Sequence, residues 1–102
     1  KETTINNIVQ MVDKIQSRGA MAAVVDISAG FLLDQFRIPL YNLCKEKGAI
    51  FIPKVLKGII TNPSLKSDFI HPNARGYKLI AERVYRAILP YLNQNISALK
   101  GK

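Results

Sequence analysis

An α/β fold with parallel strands is what the sequence predicts, and three observations predict it. Segments with apolar residues at helical spacing alternate with short apolar runs, in the order helix, strand, helix, strand, helix. The runs are nearly unbroken, which suits parallel strands buried on both faces better than a half-exposed antiparallel pair. A helix-length segment lies between them, long enough for a right-handed crossover.

The first helix is expected from about Thr3 to Gln16, where Ile5, Ile8, Val9, Val12 and Ile15 recur at 3-to-4 spacing. Thr4 or Asn6 is its candidate cap, and Gly19 its stop. Met21–Ile27 is the first strand, broken by Ser28-Ala29-Gly30. The second helix runs from about Asp34 to Lys47, with Phe36, Leu40, Leu43 and Cys44 on one side. Pro39 is either its first residue or a kink. Gly48 ends it, and Ala49–Ile52 forms the second strand, closed by Pro53. Between Pro53 and Ser67, Gly58 and Asn62-Pro63 punctuate a short helical turn and a loop. The last helix is expected from about Asn73 to Leu92. Its apolar stripe is Tyr77, Ile80, Ala81, Val84, Ile88 and Leu92, with Lys78, Glu82 and Arg86 facing away.

A chain of 102 residues is one small domain or part of a larger one. With 48% hydrophobic and 22% charged residues it can pack a core, which excludes a disordered chain. A single cysteine, Cys44, excludes an internal disulfide and any multi-cysteine zinc site; on an apolar helix face, it reads as buried and inert. No apolar run approaches the roughly 18 residues of a membrane span. Fifteen Lys and Arg against seven Asp and Glu give a net charge of +8. The cations are spread over every element, without aromatic interleaving or helix-turn-helix spacing. They read as a solvated basic surface, with attraction to an anionic lipid or acidic substrate as the alternative and a nucleic-acid module as a weaker rival. Two strands are too few for a stable sheet, and the chain opens on Lys1 rather than Met, so a partial domain is expected.

The residues that carry chemistry are Asp68-Phe69-Ile70-His71-Pro72-Asn73. An Asp and a His three apart, on a loop leading into a helix, can meet side chain to side chain. The carboxylate then accepts the Nδ1 proton, sets the tautomer and leaves Nε2 outward as a general base. Pro72 stiffens the bend, and Asn73 is a good helix N-cap. His71 is the only histidine. Spacing alone also allows a plain exposed loop ahead of a helix.

The longer stretch from Ser67 to Glu82, with Asp-x-x-His-Pro-Asn, then Gly76-Tyr77, then Ile80-Ala81-Glu82, resembles the last block of the SGNH hydrolases, the GDSL family of esterases and lipases. About nine positions match in fixed register. Leu56-Lys57-Gly58-Ile59 through Asn62-Pro63 is similar to the preceding loop of bacterial lysophospholipase- and thioesterase-like members. The resemblance implies the C-terminal portion of a flavodoxin-like three-layer α/β/α fold with parallel strands. It implies ester or thioester hydrolysis by a Ser-His-Asp triad, with Asp68 as acid and His71 as base, and neither cofactor nor metal. It is compatible with a secreted or periplasmic parent, while the residues specify no compartment.

The departures are equally specific. The family's Gly-Asp-Ser-Leu-like nucleophile motif and its oxyanion Gly and Gly-x-Asn-Asp are not in this chain. A base without its nucleophile makes no acyl-enzyme. The isolated chain is therefore expected to be inactive, with the missing N-terminal half or a second copy of the chain as its partner. The alternative is a catalytically inactive interaction or structural module. Ser28, in Asp26-Ile27-Ser28-Ala29-Gly30, narrowly misses a nucleophile elbow and reads as a turn serine. Ser28, Phe31, Leu32 and Ile70 are the weak candidates for substrate binding; Phe31 and Leu32 either floor an acyl groove or pack under the next helix.

Overall fold

The computed structural model describes residues 2–28, 34–68 and 71–100, with side chains through residue 94. Five elements follow the expected order: α1 (Glu2–Ser17), β1 (Ala23–Val25), α2 (Arg37–Lys47), β2 (Ile50–Ile52) and α3 (Ala74–Lys100). Short 3-10 turns at Asp34–Phe36 and Pro63–Leu65 lead into α2 and towards α3. Over the described residues the chain is helix-rich α/β with a two-stranded parallel sheet. No helix among the described residues is long and apolar enough to cross a membrane.

The strands pair in parallel, Ala23 opposite Ile50, Val24 opposite Phe51 and Val25 opposite Ile52. They are shorter than the apolar runs suggested. Ile50 N–H donates to Ala22 O and Asp26 N–H to Ile52 O; beyond them Lys54 N–H turns to the Asp26 carboxylate and Val55 N–H takes Asp26 O, which ends the ladder. Alternation along the strands assigns the two faces. Val24 and Phe51 pack against the cluster of Val12, Ala22, Leu40, Leu43 and Cys44 formed with α1 and α2. On the opposite face Ile50, Ile52 and Val55 meet Ile80, Val84, Ala87 and Ile88 of α3. Helices thus cover both faces of β2.

For β1 the expectation of burial on both faces fails. Met21, Val25 and Ile27 are 42%, 38% and 50% exposed. The cause is coverage: α3 lies over β2, and no described element lies over the same face of β1 or extends the sheet beyond it.

The ends of α1 and α2 follow from local chemistry. α1 stops at Ser17, and Gly19 (φ 80°) takes the left-handed conformation while its N–H donates to Gln16 O. Thr4 and Asn6, the expected caps, lie inside the helix. In α2, Pro39 sits in the first turn, where a missing N–H costs nothing, so there is no kink to explain. Gly48 (φ 70°) caps the other end through Cys44 O. The Lys47 ammonium, 2.7 Å from Asp13, and the Gln16 amide, donating to Lys47 O, tie α1 to α2.

α3 runs past the expected Leu92 and through Pro90. Its buried stripe is rotated from the expected one: Ile80, Val84, Ala87 and Ile88 face β2, whereas Tyr77, Ala81 and Leu92 are exposed. Arg83 sits on the inner side and donates from Nη1 to Val55 O at 2.7 Å. Residues 90–94 are all exposed, so the distal turns project from the body. The radius of gyration, 15.5 Å, accordingly exceeds the roughly 13 Å of a compact chain of this length.

Candidate active site

The Asp68–His71 loop is anchored at both ends before any catalytic residue is considered. Asn62 caps the turn at Pro63–Leu65 by accepting from the Ser64 N–H and hydroxyl. Asn73 then clamps the far end. Its N–H donates to Leu65 O at 2.8 Å, and its Nδ2 donates to Ser64 O and Lys66 O. Its Oδ1 accepts from Gly76 N–H at 3.0 Å, which is the expected N-cap of α3. Lys66 and Pro72 form an antiparallel bridge, and Ser67 N–H donates to His71 O. Gly76 is buried beneath this loop. A Cβ there would meet Leu65 O, and Pro72 Cβ at 2.9 Å, so the close approach of loop and helix requires glycine.

Within the clamped loop the expected pair forms. His71 Nδ1 lies 2.9 Å from both carboxylate oxygens of Asp68, and His71 N–H donates to Oδ1 at 2.9 Å. The backbone bond sets the carboxylate and the carboxylate orients the ring. Nε2 has no partner among the described residues. The two side chains are exposed, 58% for Asp68 and 62% for His71. A pair that open to water adds less than about 1 kcal/mol to stability, so its consequence is orientation and tautomer.

Ser28 is placed elsewhere. It is buried, its N–H donates to Asp26 Oδ1 at 2.9 Å, and no hydrogen bond joins it to His71. It lines a cavity at the carboxyl ends of β1 and β2 that contains neither Asp68 nor His71. Phe31, Leu32 and Ile70 lie outside the described residues. Cys44 is buried on α2, and burial pushes its thiol pKa up, away from reactivity.

Asp26 is the residue whose part sequence reasoning missed. It is 1% exposed, and its two oxygens accept from Ser28 N–H and, at 3.0 Å, from Lys54 N–H. Its carboxylate thereby joins the segments that leave both strands. Burial alone would raise its pKa. The Ser28 and Lys54 hydrogen bonds and the nearby Arg37 charge outweigh burial and hold the carboxyl below its ordinary value. The available signal was an acid closing an apolar run, since a carboxylate there must find donors. No group of three His, Cys, Asp or Glu side chains converges on a possible metal position among the described residues. No protein-family model, curated protein or solved structure matches the chain.

Proposed function

We propose that the chain is the C-terminal half of an SGNH-type serine hydrolase that cleaves an ester or thioester. In this reading it contributes Asp68 and His71, while nucleophilic serine and oxyanion donors come from sequence outside these 102 residues. The observation that carries the reading is the double 2.9 Å approach of Asp68 to Nδ1 with Nε2 left open. The Gly76 contact and the Asn73 clamp support it, because they account for two further positions of the resembling block.

The chemistry follows from the tautomer. With Nδ1–H donating its hydrogen bond to the Asp68 carboxylate, the Nε2 lone pair accepts the proton of a serine Oγ as that oxygen attacks the acyl carbonyl. The imidazolium, stabilised by the carboxylate, then protonates the departing alcohol or thiol. Water, deprotonated by the same nitrogen, then attacks the acyl-serine; the acid is released as the imidazolium returns its proton to the serine Oγ. The exposure of both side chains favours a second reading, in which the loop is a non-catalytic surface of an interaction module.

Fluorophosphonate labelling of the gene product that includes the sequence upstream of Lys1 separates the two. The hydrolase reading expects one labelled serine upstream of Lys1, lost in His71→Ala. Absence of labelling in a folded product, or labelling that His71→Ala leaves intact, favours the interaction module.

A further inference from the structure

A second feature stands apart from His71: the cavity of about 460 Å³ where β1 and β2 end. Ligand sites of open α/β sheets collect at this end, and the volume suits a small molecule. Among the described residues its wall includes Arg37, Lys54 and Lys57, together with Ser28, and no Asp or Glu. None of the three cations forms an ion pair among the described residues. The buried Asp26 carboxylate, engaged by the Ser28 and Lys54 N–H groups, interacts with Arg37 and offsets one charge, so three cations against one carboxylate leave this end of the sheet positive. The rest of the wall includes Leu56 and Ile60.

Lys54 sharpens the argument. Its φ is 51°, the only positive value at a non-glycine residue among the described residues. That conformation favours Gly or Asn and disfavours a long side chain. The Asp26 carboxylate holds the Lys54 N–H there, and Lys54 lines the cavity. A costly residue at a charged cavity is a mark of function more than of stability.

We propose that this cavity binds a small amphiphile, its phosphate or carboxylate head held by Arg37, Lys54 and Lys57 and its short apolar tail lying along Leu56 and Ile60. Arg37 contributes a planar fork suited to either head group, and the lysines act as point charges. The proposal does not depend on the hydrolase reading, because the cavity holds neither Asp68 nor His71.

The test is a backbone-amide NMR titration of the 102-residue chain with n-butyl phosphate, with butyrate, and with n-butanol as the neutral control. Saturable shifts centred on Ser28, Lys54 and Lys57–Thr61 are expected with at least one anion and not with butanol. The tighter anion identifies the head group. Affinity should fall at least about fivefold in Arg37→Gln and in Lys54→Asn, the loss expected for a charge-assisted contact. Asn suits the left-handed backbone, so Lys54→Asn should melt no lower than the parent while binding more weakly. Raising salt from about 0.05 to 0.5 M should weaken binding in the unaltered chain, independently of any variant. Butanol binding as well as the anions, shifts centred elsewhere, no saturable shift, or salt-independent binding would overturn the proposal.

Discussion

Replacing Asp26 by Asn removes one charge and almost no volume, so its effect isolates the carboxylate that closes the strand ends. Asp26 accepts from Ser28 N–H at 2.9 Å and from Lys54 N–H at 3.0 Å. An amide oxygen can keep one of these bonds. Its NH₂ then faces the other N–H, leaving a buried donor without an acceptor. A hydrogen bond to a charged group is worth about 1.5–3 kcal/mol, and an unpaired buried donor costs about 1–3 kcal/mol. With relaxation of the loop, a loss of about 3 kcal/mol is expected, a large part of the roughly 5–15 kcal/mol available to a chain of this size. Urea unfolding at pH 7, followed by far-UV circular dichroism, reads it directly. The sign with pH is also determined. The folded carboxyl titrates below its unfolded value, so its stabilisation is complete above about pH 4 and is lost as pH falls through the folded pKa. Parent and Asp26→Asn should therefore converge in acid. A difference below about 0.5 kcal/mol at pH 7 is within the range of an ordinary surface substitution and would refute the argument, as would a gap that widens in acid.

Three further outcomes are expected. Gly76→Ala should cost about 1–3 kcal/mol by overpacking and disturb the amides of the Asp68–His71 loop, because the added carbon meets Leu65 O and Pro72; a neutral substitution would contradict that contact. Long-range ¹H–¹⁵N spectra should show the single imidazole as the Nδ1–H tautomer at a pH where it is neutral, with Asp68→Asn releasing this preference; an Nε2–H form in the parent would contradict the orientation. Cys44 should resist a disulfide reagent under native conditions and react on unfolding, and rapid native modification would contradict its burial.

The order of elements and the parallel pairing were legible because helical periodicity and unbroken apolar runs arise from the same burial that forms the elements. The Asp68–His71 contact was legible because three-residue spacing on a stiffened loop is a local property. Non-local coverage was not. Nothing in Met21, Val25 and Ile27 distinguishes a strand covered on both faces from one left open. The rotated stripe of α3 has the same origin: Tyr77, Ala81 and Leu92 satisfy the helical period, yet β2 is too narrow to cover them. Asp26 and Lys54 escaped notice because 28 residues separate them, and their bond exists only once the strands have paired.

Turnover of a short acyl ester by the gene product that includes the sequence upstream of Lys1 tests the central claim most directly, with His71→Ala and Asp68→Asn compared at equal foldedness. Loss of the base should abolish nearly all turnover. Loss of the acid should lower kcat by about 10²–10⁴, through a misdirected tautomer. Turnover in His71→Ala equal to that of the parent would contradict the assignment of this loop as the catalytic acid–base pair.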